Sequence, residues 1–190
     1  IPGRPSPTVF SAEAQSSAFE GEEKMADAAP AGERSPEEIL VELRDHLIAG
    51  GTLAGFANFD SRTMSGVYAL GRYFYDQNDY DTAGDIFSWL TGFDPFERQY
   101  SFALGATRQM QGRYLDAIDF LATAQALDIT DPVPAFHIAE CLLKLGKGQE
   151  ARDMLDMAVH YAKGEQHAAL LAQAKALLAL LPPAPPSQPS

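Results

Sequence analysis

The chain has one cysteine, one tryptophan and no run of basic residues in its 190 positions. A single cysteine excludes an internal disulfide and suits a reducing compartment. The 14 Lys and Arg are outnumbered by 26 Asp and Glu, for a formal net charge of -12. Phosphate backbones are gripped by clustered cations, so nucleic acid is not expected as a partner. Long apolar runs are missing too. The longest, HAALLAQAKALLALL at 167–181, is interrupted by Gln173 and Lys175 and is too short to span a bilayer, so no direct membrane insertion is expected. No secretory signal opens the sequence; Ile1 in first place reads as a product of processing, with Met25 as a natural-looking start. What is left is a cytosolic protein whose 46% hydrophobic content supports one core.

Hydrophobic periodicity is absent at both ends. Residues 1–34, rich in Pro, Ala, Ser, Gly and Glu, read as a disordered or extended leader, and 182–190 as a Pro-rich tail. Order is expected from Ser35. There SPEE supplies an N-cap serine, a proline at the first helical position and Glu38 three residues past the cap. This capping box predicts a helix over 35–49, stopped by Gly50 and Gly51.

From residue 64 onward the chain repeats itself every 34 residues. Gly71, Gly105 and Ala139 recur at that interval, as do Leu70, Leu104 and Ile138, then Ala83, Ala117 and Ala151, then Phe87, Leu121 and Leu155. Tyr80 and Tyr114 match, and so do the turn positions Asn78, Gly112 and Gly146. Small residues at fixed positions let paired helices approach closely, and large ones fill the space between them. This is the period and pattern of the tetratricopeptide repeat (TPR), with Pro95 where that motif places its proline. The expected fold is all-α: a TPR superhelix of three helix pairs, with an N-terminal helix and a C-terminal capping helix. The repeats are expected at 64–97, 98–131 and 132–163. Their helices should run near 64–77, 80–93, 98–111, 114–127, 132–145 and 148–161, and the capping helix over 165–181, together forming one domain over 35–181.

The stretch PAFHIAECLLKLG, residues 134–146, raises the question of chemistry. His137, Glu140 and Cys141 share one helical face, as a thiol nucleophile with its base or a set of zinc ligands would. Repeat register argues otherwise. Ile138 and Ala139 hold the helix-packing positions, so the three lie just around the helix from a buried seam. No second cysteine exists, and His46, His160 and His167 belong to other elements. No catalytic residue, metal or cofactor is expected, and Cys141 reads as a small packed side chain.

In a TPR superhelix the first helix of each repeat lines the concave face, chiefly through repeat positions 2, 5, 9 and 12. Here these are Ser65, Tyr68, Arg72 and Tyr75; Gln99, Phe102, Ala106 and Gln109; Val133, Phe136, Glu140 and Leu143. An aromatic at position 5 of every repeat predicts a stripe of Tyr68, Phe102 and Phe136 with polar groups between them. Such a groove suits an extended peptide with a few hydrophobic anchors.

The segments GGTLAGFANFDSRTMSGVYALG (50–71), RQYSFALGATRQMQGRYLDAI (98–118) and above all PAFHIAECLLKLG resemble the three-TPR class II chaperones of bacterial type III secretion, the LcrH, SycD and IpgC kind. The likeness covers about residues 35–165. It implies a protein of the bacterial cytoplasm that holds hydrophobic translocator proteins soluble until export, binding a client segment of the form Pro/Val-x-Leu-x-x-Pro extended in the groove. Carried over, the family's groove aromatics fall on Tyr68, Tyr75 and Tyr80, whereas Arg72 stands where Phe is frequent. With His137, the groove set becomes Tyr68, Arg72, Tyr75, Tyr80, Phe102, Ala106, Gln109, Phe136, His137, Glu140 and Leu143. The resemblance also implies a homodimer formed through helix 35–49.

Two alternatives stand beside this reading. One is a TPR adaptor for a different peptide partner, such as the acidic C-terminus of a folded chaperone; the clamp of Lys, Asn and Arg such adaptors carry is replaced here by Tyr68, Gln99, Val133 and His137. The other concerns residues 7–12, where Pro7, Val9 and Ala12 fall at the first, third and sixth positions of the client motif. The segment is either a plain leader or a client-like stretch that can lie in a groove.

Overall fold

The computed structural model describes residues 35–182, so the client-like stretch 7–12 and the tail beyond Pro182 lie outside the described residues. The chain divides into two units, residues 1–45 and 46–190.

In the first unit the described residues are Ser35 and most of α1 (Pro36–Ile48). The capping box is formed in both directions. Ser35 N–H donates to Glu38 Oε2 at 2.8 Å, and Glu38 N–H donates to Ser35 Oγ at 3.2 Å. Along this helix Ile39, Leu40 and Val41 are exposed. The helix closes at Gly50, whose φ of 85° lets Gly51 N–H reach back to His46 O at 2.9 Å.

The second unit is a succession of helix pairs. After the four-residue α2 (Leu53–Phe56) come α3 (Ser61–Asp76) with α4 (Tyr80–Phe93), α5 (Arg98–Met110) with α6 (Tyr114–Leu127), and α7 (Pro132–Lys144) with α8 (Gly148–Tyr161). A 3₁₀ turn at Glu165–His167 and α9 (Ala168–Leu180) follow. From α3 to α9 each helix packs on the next in chain order, while α2 lies against α4. The expected TPR architecture is present.

The 34-residue period has a physical cause at each end of the pair. Asn78, Gly112 and Gly146 all take left-handed backbone, with φ of 62°, 76° and 74°. That conformation turns the next N–H back onto the helix just ended. Asp79 N–H bonds Phe74 O at 3.0 Å, Arg113 N–H bonds Arg108 O at 2.9 Å and Lys147 N–H bonds Leu142 O at 2.9 Å. The second helix of each pair then lies against the first. A methyl group on Gly105 would sit 2.7 Å from Leu121 Cγ, and one on Gly71 would sit 2.7 Å from Phe87 Cε1. The partner columns are sealed: Ala83, Ala117 and Ala151, with Phe87, Leu121 and Leu155, are all 0% exposed. Each of the large ones contributes about 1.5–3 kcal/mol by its burial.

Polar contacts join neighbouring pairs. Arg108 donates to Ser88 Oγ at 3.1 Å and to Gln111 Oε1 at 2.8 Å, and Gln111 donates to Tyr80 O at 3.0 Å, tying α5 to α4. Arg98, at the start of α5, pairs with Asp131, the residue that caps α7.

Three features depart from the pattern expected of the sequence. Leu70 is 49% exposed, whereas its repeat counterparts Leu104 and Ile138 are buried. Within this unit α5 and α7 each lie against the second helix of a preceding repeat, and α3 has no such helix before it. The α2 turn, capped by Thr52 Oγ1 accepting from Gly55 N–H at 3.1 Å, is too short to leave a periodic signal. The expected capping helix over 165–181 starts late: after Gly164, at φ 85°, Glu165–His167 form a 3₁₀ turn and α9 begins at Ala168.

Candidate functional site

The first helices α3, α5 and α7 lie side by side. Tyr68 on α3 meets Tyr100 on α5 at a ring separation of 5.8 Å, and Gln109 on α5 bonds both His137 and Glu140 on α7. Tyr68 on α3, and Gln109, His137 and Glu140 on α5 and α7, are thereby linked across the first helices.

On α3, Tyr68 is half-buried, its ring also 5.6 Å from the core residue Phe87. Burial pushes its phenol up to about 12, only partly offset by the charge of Arg72 one turn further on. Tyr75 stacks edge-on against Tyr80 at 5.3 Å, and Tyr80 donates its hydroxyl to Asn78 Oδ1 at 2.8 Å. Burial, then Tyr80, Asp76 and Glu140, push the Tyr75 phenol up.

The expected aromatic stripe is less exposed than the repeat register suggests. Phe102 is 9% and Phe136 6% exposed. The His137 ring lies 5.7 Å from Phe102 and 5.9 Å from Phe136 in edge-on contacts. Position 5 of the first repeat keeps a half-buried tyrosine, while in the second and third repeats the rings form the floor of the face. Ala106, 2% exposed, belongs to that floor. Arg72, Tyr75, Gln109, Glu140 and Leu143 are half-buried and stand above it.

At the α5–α7 end, three of the predicted residues close into a polar triangle. Gln109 Nε2 donates to Glu140 Oε2 at 3.1 Å. His137 Nδ1 lies 3.0 Å from Gln109 Oε1 and 3.2 Å from Glu140 Oε2, so the network closes with the proton on Nδ1, donated to both oxygens. Burial alone would raise the Glu140 carboxyl. The hydrogen bond and charge of His137, with Gln109 and Lys144, outweigh it and hold the group below its usual value. Glu140 is therefore a fixed anion set in an aromatic surface.

Cys141 takes no part in this network. It is 0% exposed, and burial, followed by the nearby Glu140 carboxylate, pushes its thiol up to about 12. A neutral thiol without access is a poor nucleophile. Among the described residues no group of three or more His, Cys, Asp and Glu is placed to hold a metal ion.

Tyr100, 5% exposed, supports Tyr68 and was not foreseen from the sequence. Position 3 of a repeat carries no groove signal, and only the packing of α5 against α3 reveals its role. The triangle was also legible only in part. The sequence places Gln109, His137 and Glu140 on the face, but their mutual bonds depend on how far α5 and α7 are offset.

Residues 109–174 match the tetratricopeptide repeat family. The chain is 33% identical over 122 residues to low calcium response locus protein H of Yersinia pestis, covering 64% of this chain and 73% of that protein. Its fold is similar to that of SycD, the type III secretion translocator chaperone of Yersinia enterocolitica, with a TM-score of 0.65, 30% identity and coverage of 69% and 98% of the two chains. It is similar as well to PcrH of Pseudomonas aeruginosa, whose structure in complex with the chaperone binding region of PopD aligns with a TM-score of 0.63 and 34% identity over 64% of this chain and 92% of that one. With the sequence relationship and the repeat architecture in agreement, this chain belongs to the tetratricopeptide-repeat translocator chaperones of type III secretion.

Proposed function

We propose that the protein binds an extended segment of type III secretion translocator proteins on the face of α3, α5 and α7 and keeps those clients soluble in the bacterial cytoplasm until export. The observation that carries this reading is the face itself, an aromatic floor with half-buried Tyr68, Tyr75 and Leu143 above it and fixed polar groups between them. It agrees with the relatives, since PcrH is known in complex with the chaperone binding region of PopD. The mechanism needs no chemical step. A binder of the unfolded client lowers the concentration of free apolar chain by mass action and so suppresses aggregation. Two or three anchors, each contributing about 1.5–3 kcal/mol before ordering costs, give roughly micromolar affinity for a short peptide.

Self-association is proposed through the exposed Ile39, Leu40 and Val41 of α1.

The test is coexpression with the two translocators of the same secretion system. Wild-type chaperone should keep them in the soluble fraction, and Tyr75→Ala should lower peptide affinity by about 1–3 kcal/mol while leaving the helical signal intact. Translocators equally soluble with and without the chaperone would contradict the reading.

A further inference from the structure

Both internal donors to Glu140 reach the same oxygen, since Gln109 Nε2 and His137 Nδ1 each lie on Oε2. A carboxylate offers about four acceptor sites over two oxygens, and Gln109 and His137 use none of those on Oε1. The side chain is 36% exposed, against 12% for His137. The carboxyl stays ionised because the hydrogen bond and charge of His137, helped by Gln109 and Lys144, overcome the opposing effect of burial. An acceptor so fixed adds little ordering cost when a ligand arrives, and in apolar surroundings an unmatched charge discriminates against ligands that offer it no donor.

Register adds a direction. Position 9 of the three repeats carries Arg72, Ala106 and Glu140 in turn, so the face is cationic at its α3 end, neutral in the middle and anionic at its α7 end. An extended segment laid across it meets opposite charges at its two ends.

We propose that Glu140 is a specificity-determining residue of this face, its Oε1 accepting a hydrogen bond from an N–H donor of the bound segment at the α7 end. Gln109 and His137 are its positioning residues. The proposal rests on the peptide-binding reading above and deepens it. The donor is either a main-chain amide or a Lys or Arg side chain, and the two sources are separable by experiment.

The probes are acetyl-Pro-Ala-Leu-Ala-Ala-Pro-amide, three analogues with one Ala replaced by Lys, and an N-methyl series that removes each main-chain donor in turn. Calorimetric titrations use the full chain, wild type, E140Q and E140D, each checked for an unchanged melting profile. E140D keeps the charge but withdraws the acceptor by one methylene, so it reports on acceptor position rather than on net charge. If the donor is a side chain, one Lys analogue binds wild type about tenfold more tightly than the parent peptide, and the gain disappears in both variants. If the donor is the main chain, Lys changes nothing, both variants weaken the parent about tenfold, and one N-methyl analogue loses as much with wild type as the variants do with the parent. Either result supports the proposal. Parent and analogues that bind wild type, E140Q and E140D alike overturn it while leaving the peptide-binding reading intact. Failure of every peptide to bind wild type overturns both.

Discussion

On α5, Gly105 faces Leu121 with no room for a methyl group, while one turn either side Phe102 and Gln109 on the same helix look toward α7. The seam between paired helices is built from small and large apolar residues that exclude water completely. The face across the first helices is built from rings, amides and one ionised carboxylate, and much of it remains half-buried. One helix thus serves two purposes on adjoining strips of its surface. Changes to the seam should act on stability and changes to the face on binding.

The largest expected effect is at the seam. Leu121→Ala removes a fully buried side chain and should cost about 2–5 kcal/mol in chemical denaturation. Gly105→Ala should cost about 1–3 kcal/mol by overpacking, because its new methyl group would lie 2.7 Å from Leu121 Cγ. The double variant makes room for that methyl group, so its loss should fall clearly short of the sum. Additive losses would show that the two residues do not meet as described.

The inter-helix turn comes next. Gly112→Ala places a side chain at φ 76° and should cost about 1–2 kcal/mol, although nothing lies within 4 Å of the new methyl group. Away from the seam the same substitution should change sign. Gly66 lies inside α3 with nothing within 4 Å, and Gly66→Ala should stabilise the protein by about 0.5–1 kcal/mol through helix propensity alone. A destabilised Gly66→Ala would mean that α3 is covered on that side.

These sites also show how far the sequence can be read. The 34-residue columns locate the seam because close packing tolerates only small residues at Gly71, Gly105 and Ala139, and such a demand leaves a trace in one dimension. The turn residues are legible for the same reason, since a left-handed backbone favours Gly or Asn. The face is legible as a set of positions and not as an arrangement. Register assigned Phe102 and Phe136 to it, yet both are buried with the His137 ring edge-on to each, a consequence of side-chain direction and helix offset. Leu70 shares its column with Leu104 and Ile138 and differs in exposure because repeats are stabilised by neighbours, and the first repeat lacks a preceding one.

The smallest expected effect is electrostatic. The folded-state carboxyl of Glu140 titrates below its ordinary value of 4.5. A depressed value means stabilisation that is fully present above about pH 4.5 and lost as pH falls through the folded value. Wild type should therefore exceed E140Q in stability at neutral pH by no more than about 1 kcal/mol, with the difference vanishing in acid. A difference that grows as pH falls would contradict the triangle.

The measurement that bears most directly on the account is amide chemical-shift mapping on the full chain during titration with acetyl-Pro-Ala-Leu-Ala-Ala-Pro-amide. The account predicts perturbations concentrated on α3, α5 and α7, strongest around Tyr68, Tyr75, Gln109 and Glu140, with α6 and α8 nearly silent. Perturbations concentrated on the outer surfaces of α4, α6 and α8, with those four residues unmoved, would contradict it.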